Sequence, residues 1–360
     1  MARFVWMAAL IAFGLLACDD IAQPCFTPQS VISDARVLAV RVDPPESVVD
    51  LQSDEGPTVA LALLVVGAQA DQYGELSTGF EIANAEVSIS VCTLPTGLQQ
   101  DPVQECPAEA QVLAGQSVVP TLVAPLQLTV PLALLRQALQ EDPLRGAVGL
   151  QLRLQISVHV GDKTLVAFKT LYFQQAGSNL TPNHAIELTG VRVTASTSSR
   201  DFGAQESAQV VVAEPFGLRP LLGVGAGAAA PIEEYDTVDL RGERVHLREQ
   251  VTYAFYASSS LFIGRVDYTR SLGNPTAIYT GLPGDVANEP APGDTEPTNG
   301  LVAATAVWPG NQSGLVWIVA SDGRGAQTWF TLRYQASEQR PACEGPPPKK
   351  GCPRLLFGCG

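Results

Sequence analysis

Residues 150–173 carry the clearest hydrophobic alternation in the chain, and this alternation restricts the fold to one built from β-sheets. Apolar side chains recur at every second position, at Leu150, Leu152, Leu154, Ile156, Val158 and Val160. A repeat of two residues predicts a β-strand with one buried face. Gly161 and Asp162 then predict a two-residue turn, and residues 163–173 return as a second strand. Long alternating strands joined by a tight turn predict an antiparallel sheet that is covered on one face.

The segments before this hairpin contain further strand signals and one helix signal. Strands are predicted at residues 36–42, 59–66, 86–92 and 126–130. The run 59–66 is apolar at every position, which predicts a strand buried in the interior. Residues 132–139 follow Pro131 and predict a short helix, since proline is tolerated at the first helical position.

The second half of the chain repeats this β-rich pattern after a polar linker. Strands are predicted at residues 186–193, 245–256, 261–268, 315–320 and 327–334. The apolar parity shifts at Gly190, and a glycine at a change of phase predicts a β-bulge. The segment Ser321-Asp322-Gly323-Arg324-Gly325 predicts the turn of another hairpin.

Each half has several predicted strands and the length of one domain, which favours a sandwich over a closed barrel. The strand 36–42 with Asp43-Pro44-Pro45-Glu46, and the hairpin around Asp322-Gly323-Arg324-Gly325, resemble those of two-domain bacterial envelope lipoproteins with immunoglobulin-like folds. The resemblance implies a fold and an anchored position but no activity. We predict an all-β fold of two immunoglobulin-like antiparallel β-sandwich domains in tandem, with a short helix in the first and a Cys/Pro-rich C-terminal tail.

The N-terminus carries the features of an export signal that ends in a lipidated cysteine. Arg3 precedes an apolar run from residue 4 to residue 16, which is too short to span a bilayer. Leu15-Leu16-Ala17-Cys18 resembles a bacterial lipobox, which implies cleavage before Cys18 and acylation of that residue. The expected location is therefore outside the cytoplasm, with the lipid in the inner or outer membrane of a Gram-negative envelope.

These observations predict the following division of the chain: a signal peptide at 1–17, the lipidated cysteine and a tether at 18–33, a first sandwich at 34–175, a linker at 176–184, a second sandwich at 185–336, and the tail at 337–360. The formal net charge is −14. An acidic surface argues against a nucleic-acid partner and against electrostatic attraction to anionic lipid.

Six cysteines remain after Cys18 is set aside, and an even number in an exported chain predicts disulfides. Cys92 and Cys106 are the best pair, because both lie in one predicted domain across a proline-rich loop. The candidates for the other two bridges are Cys25, Cys343, Cys352 and Cys359. No Cys-x-x-Cys motif is present and the three histidines are distant from every cysteine, so the cysteines do not predict a zinc site.

No motif of a hydrolase, metalloprotease or nucleotide-binding loop is present, and no cofactor is predicted. His159 and His246 lie at polar positions of predicted strands. Two acidic clusters are weak candidates for calcium, which prefers six to eight oxygen ligands. They comprise Glu233, Glu234, Asp236 and Asp239, and on a long loop Asp285, Glu289, Asp294 and Glu296. Trp308, Trp317 and Trp329 are expected in the core of the second sandwich.

The sequence therefore predicts a lipid-anchored, non-enzymatic binding or scaffolding module of the cell envelope. Its partners would be the membrane, through the N-terminal lipid, and an envelope protein or polysaccharide. One alternative is a carbohydrate-active hydrolase that uses acidic residues of the second domain. The other is a purely structural spacer in an envelope complex.

Overall fold

The computed structural model describes residues 32–70, 76–94, 105–107, 110–142, 146, 149–178, 180–195, 198–211, 215–228, 230–238, 243–249, 251–258, 261–263, 302–306 and 313–337. The predicted all-β class is confirmed, because these residues form strands that pair into two successive two-sheet sandwiches. The names sandwich 1 and sandwich 2 denote the strands from Arg36 to Gln175 and those from Glu187 to Ser337. None of the helices in the described ranges is both long enough and apolar enough to span a bilayer.

Sandwich 1 packs a four-stranded sheet against a five-stranded sheet. The first contains β1 (Arg36–Asp43), β3 (Thr58–Ala70), β4 (Leu76–Glu81) and β7 (Leu126–Thr129). The second has the order β2 (Glu46–Val49), β9 (Lys163–Gln175), β8 (Leu150–Val160), β5 (Glu86–Thr93) and β6 (Gln111–Gln116). The helix α1 (Leu132–Glu141) begins one residue after Pro131, which caps it in an extended conformation.

The predicted hairpin forms as expected. Val160 pairs with Lys163, and Gly161 has a φ of +60°, which suits a two-residue turn of the primed type. The inward residues of β8 enter the core together with residues of β3 and β5. The burial of one face of β8, predicted from its alternation, is therefore confirmed.

Sandwich 2 has the same two-sheet construction, with an additional hairpin. One sheet has the order β11 (Ser198–Phe202), β10 (Glu187–Ala195), β13 (Pro215–Gly223), β18 (Val302–Ala306) and β17 (Leu261–Ile263). The other has the order β12 (Ser207–Val211), β20 (Gln327–Ser337), β19 (Ser313–Asp322) and β16 (Val251–Ala257). β14 (Glu234–Val238) and β15 (Arg244–Arg248) pair only with each other.

Two strand predictions in this half have different outcomes. The bulge is confirmed, because the register between β10 and β13 shifts between Leu188 and Gly190. The single strand predicted at residues 245–256 is wrong, since the chain leaves β15 at Arg248 and enters β16, in another sheet, at Val251. The break falls at Glu249, a buried charged residue that faces the junction described below.

An early strand runs parallel to the last strand in both sandwiches. β2 pairs with β9 in sandwich 1, and β12 pairs with β20 in sandwich 2, while the other described strand pairs are antiparallel. In each sandwich the chain therefore crosses from one sheet to the other near its start. This crossing places Glu46, the first residue of β2, at the end of sandwich 1 that faces sandwich 2.

A third apolar core joins the two sandwiches. It contains Ile32, which precedes β1, and side chains from the outer faces of β1, β3, β19 and β20. These are Ala39, Ala62, Leu64, Val66, Trp317, Val319 and Trp329. β3 and β19 are buried on both faces, since their alternate residues belong to the separate cores of their own sandwiches. The apolar run at 59–66 is thus explained by burial on two sides.

The predicted disulfide between Cys92 and Cys106 is present and joins β5 to the segment before β6. Cys18, Cys25, Cys343, Cys352 and Cys359 lie outside the described residues. Lipidation and the remaining pairings stay predictions, as do the domain boundaries.

Candidate functional site at the junction of the two sandwiches

The two short motifs singled out in the sequence meet at the junction between the sandwiches. Glu46 ends the Asp43-Pro44-Pro45-Glu46 segment, and Arg324 lies at the tip of the hairpin between β19 and β20. The Arg324 Nη2 atom lies 3.3 Å from Glu46 Oε2. The motifs are 278 residues apart in sequence, so only the tertiary fold brings them together.

Arg324 is enclosed by partners from both sandwiches and from the segment that connects them. Its Nη1 donates to Glu249 at 3.2 Å, and its Nη2 donates to the carbonyl of Thr181 at 2.6 Å. The Tyr235 ring lies under the guanidinium at 4.0 Å, a cation–π distance. The exposed fractions of the Arg324, Glu46 and Glu249 side chains are 14%, 11% and 5%. This is a buried ion-pair network.

Asp322 holds the shape of the hairpin tip. Its Oδ1 accepts the backbone N–H groups of Arg324 at 2.9 Å and of Ala326 at 2.8 Å. Its Oδ2 accepts the Asn183 side-chain amide at 2.8 Å, and the Asn183 backbone N–H donates to Glu46 at 2.8 Å. Burial raises the pKa of the Asp322 carboxyl, while these hydrogen bonds act in the opposite direction. The tip is thereby fixed to the connecting segment.

The hairpin tip also depends on a glycine. Gly325 has a φ of +109°, and a Cβ atom there would lie 2.6 Å from Cε2 of Tyr172 in sandwich 1. A side chain at this position would therefore clash with sandwich 1 as well as strain the backbone. The Gly-Arg-Gly sequence lets the tip approach its neighbour closely while presenting one cation.

A second carboxylate pair extends the network into sandwich 2. The backbone N–H groups of Glu233 and Glu249 donate to the Glu249 side chain and the Glu233 carbonyl, at 3.2 and 2.8 Å. His184 Nδ1 lies 2.8 Å from Glu233 Oε1. Burial, followed by the negative charge of Asp322, raises the pKa of Glu249. The network thus holds several carboxylates close to one guanidinium.

Lys169 of sandwich 1 interacts electrostatically with Asp322 of this network. It lies on β9 between Ala167 and Leu171, at a position whose strand parity faces the core. Burial lowers its pKa to about 8, and the charge of Asp322 opposes that decrease. A lysine at this position is costly to keep charged.

Polar contacts across the third core reinforce the junction. Glu81 of β4 accepts hydrogen bonds from Trp317 Nε1 at 3.2 Å and from Thr331 at 2.6 Å. The backbone N–H of Val40 donates to the Gln327 side chain at 2.8 Å. The expectation that Trp317 and Trp329 lie in the core of sandwich 2 is wrong, because both belong to the core shared with sandwich 1.

The remaining sequence candidates lie elsewhere. His246 is exposed on β15 and contacts Asp236 at 3.0 Å and Glu234 at 3.4 Å, while Arg244 donates to Asp236 at 2.7 Å. His159 is exposed and lies 2.9 Å from the Thr164 hydroxyl. Within the described ranges, no group of three or more His, Cys, Asp or Glu side chains is arranged to hold a metal ion. Trp308, Asp239, Asp285, Glu289, Asp294 and Glu296 lie outside the described residues.

Sequence reasoning did not find the roles of Glu46, Asn183 and Glu249. One signal was available for Glu249, which stands at the apolar parity of the alternation that runs through Val245, Leu247, Val251 and Tyr253. A charged residue at an inward position predicts a buried partner or a break in the strand. The structure contains both.

Comparisons with known proteins identify no family for this chain. No protein-family model matches the chain, and no curated protein matches it. Similar solved structures include a chimeric titin Z1Z2-Z1Z2 tandem, with 9% identity and a TM-score of 0.21 over 84% of this chain and 99% of that chain. Murine CEACAM1b has 8% identity and a TM-score of 0.19, over 84% of this chain and 100% of that chain.

A glycosyl hydrolase family 2 member from Bacteroides cellulosilyticus is also similar, with 14% identity and a TM-score of 0.16. That alignment covers 79% of this chain and 24% of the hydrolase. These TM-scores are all below 0.5, so the fold assignment rests on the strand order and pairing described above.

Proposed function

We propose that this chain is a lipid-anchored, non-enzymatic lipoprotein of a bacterial envelope, in which two coupled sandwiches act as one binding or scaffolding arm. The N-terminal sequence ending in Cys18 supports the anchor. The all-β construction supports a module that presents surfaces and loops.

The buried junction is the observation that carries this proposal. Two sandwiches joined only by a flexible linker would move independently. Here they share an apolar core, and Arg324 links Glu46 of sandwich 1 to Glu249 of sandwich 2. A coupled pair keeps a fixed distance and orientation between its two ends, which suits an arm that holds a partner away from the membrane.

The acidic residues of sandwich 2 support a structural role over hydrolysis. Glycosidases use two carboxyl groups on either side of the sugar bond, one of them free to donate a proton. Glu249 is instead paired with Arg324, and Asp236 is paired with Arg244 and His246. These pairings occupy both carboxylates, an arrangement suited to fixing the junction and the β14–β15 hairpin.

The anchor is tested by expressing the wild type and Cys18→Ala in a Gram-negative host and separating membrane from soluble fractions. Mass spectrometry of the mature N-terminus is the readout. We expect an acylated Cys18 in the membrane fraction and an unprocessed or soluble Cys18→Ala chain. Wild-type chain that is soluble and carries no lipid would refute the anchor.

The non-enzymatic role is tested by incubating the purified full chain with isolated peptidoglycan and envelope polysaccharide. We expect no release of new reducing ends. Co-sedimentation of the chain with peptidoglycan or polysaccharide would identify that material as its partner. Glu249→Gln and Asp236→Asn serve as matched variants. Release of reducing ends that either variant abolishes would replace this proposal with the hydrolase.

A further inference from the structure

An unusually apolar turn projects from sandwich 1 between β6 and β7. Thr121 and Ala124 exchange backbone hydrogen bonds of 3.1 and 3.2 Å, which leaves Leu122 and Val123 at the tip. Val118, Leu122 and Val123 are all exposed, and Val123 is 94% exposed. The turn, defined here as residues 117–125, is therefore well formed and open to its surroundings.

Folding alone does not explain the residues at this tip. Tight turns favour Gly, Asn, Asp, Ser or Pro, because these residues suit the backbone or bond to it. Leucine and β-branched valine offer neither advantage, and exposing them forgoes their burial. Their exposure at the tip of this turn indicates a contact outside the chain.

The chain on both sides of the turn lacks charge along the sequence. Residues 110–135 contain no Asp, Glu, Lys, Arg or His, although 16% of the chain is charged and its net charge is −14. A protein-binding patch normally has a polar rim around its apolar centre. A neutral, apolar projection on an acidic protein fits a lipid surface better, because it is the part least repelled by that surface.

The turn and the point where the tether leaves the fold are both connected to β3. Ile32 belongs to the third core together with Leu64 of β3, and its backbone N–H donates to the carbonyl of Ala257 at 2.9 Å. Leu63 donates its backbone N–H to the carbonyl of Pro120 at 2.8 Å. The 14 residues from Cys18 to Val31 can extend at most about 50 Å. A tether of this length allows the turn to reach the bilayer that holds the lipid.

We propose that the turn at residues 117–125 inserts into the lipid surface and orients the anchored protein on it. This inference rests on the proposed lipid anchor. Leu122 and Val123 enter the boundary between headgroups and acyl chains, and the Thr121–Ala124 hydrogen bonds pair the backbone groups of the two residues that flank them. Sandwich 1 then lies against the membrane, and sandwich 2 is held in a defined direction.

The test uses the full lipidated chain carrying Val123→Trp, reconstituted in phosphatidylcholine vesicles brominated near the headgroup end of the acyl chains. Wild-type fluorescence is subtracted. The matched control is Val224→Trp, which replaces a valine that is 52% exposed in sandwich 2. We expect the Val123→Trp emission to shift to shorter wavelength and to lose at least twice as much intensity as the control.

Equal quenching of the two variants, in vesicles that carry the protein, would overturn the inference while leaving the anchor intact. Failure of the wild type to float with the vesicles would instead refute the anchor. Loss of an envelope protein from Val123→Asp pull-downs, with Val123→Trp unquenched, would overturn the inference in favour of a protein partner.

Discussion

Removing the Arg324 side chain tests the junction most directly. Arg324→Met keeps much of the side-chain volume and removes the cation between Glu46 and Glu249, whose side chains are 11% and 5% exposed. Leaving buried charges without a partner costs about 3–5 kcal/mol. Loss of the contact with the Tyr235 ring adds about 1 kcal/mol. We expect the free energy of unfolding to fall by about 4–6 kcal/mol in total.

The assay is urea unfolding followed by tryptophan fluorescence and circular dichroism, with Arg200→Met as the matched control. The Arg200–Glu206 pair has side chains that are 68% and 45% exposed, and exposed pairs contribute at most about 1 kcal/mol. Adding Glu46→Gln and Glu249→Gln to Arg324→Met removes the unpaired charges and is expected to restore most of the loss. An Arg324→Met midpoint equal to that of Arg200→Met would refute the argument.

The pH dependence gives an independent check on the same variant. Burial already raises the pKa of Glu249, and without Arg324 that pKa rises further. When folding raises the pKa of a carboxyl group, the protein loses stability as the pH increases from the unfolded pKa through the folded pKa. The difference in unfolding free energy between the wild type and Arg324→Met is therefore expected to be largest at pH 7 and to decrease as the pH falls toward 5. A deficit that grows on acidification would contradict this reasoning.

Three further changes have predictable effects. Lys169→Met should raise the free energy of unfolding at pH 7 by up to about 3 kcal/mol. The reason is that the folded pKa of Lys169 is about 8, so the wild type loses stability as the pH falls from 10.5 through 8. Unfolding at pH 7 and pH 10 checks this, with Lys163→Met at an exposed position as the control. Trp317→Ala should cost about 3–5 kcal/mol and lower the calorimetric melting temperature, and a loss under about 1 kcal/mol would argue against the third core. Replacing Cys92 and Cys106 by serine should cost about 3 kcal/mol in urea unfolding, and unchanged unfolding of the reduced wild type would contradict that value.

Local structure was largely predictable from the sequence. The alternation in β8, the Gly161 turn and the Gly190 bulge each depend on neighbours within a few residues, so the pattern reports them. The Cys92–Cys106 disulfide follows from its short loop. The prediction of one strand at 245–256 was wrong because the apolar parity continues across Glu249. Periodicity alone does not show that β15 and β16 belong to different sheets.

The junction was less predictable, because its partners are far apart in sequence. Glu46 and Arg324 were noticed as parts of motifs, but nothing local indicates that they meet. The apolar run of β3 was predicted only as a buried strand, although it also indicates a covering layer on each face. A strand apolar on both faces requires two covering layers, and the second layer here is sandwich 2.

The third core also restricts the order in which the chain can fold productively. Sandwich 1 is complete in sequence at Gln175, but the cover for its outer face, which includes Trp317 and Trp329, follows more than a hundred residues later. Until then Leu64 and Val66 would face water, and such surfaces favour aggregation of partly folded chains. A truncated chain ending after Gln175 is therefore expected to aggregate, because it lacks the part of sandwich 2 that covers this apolar face.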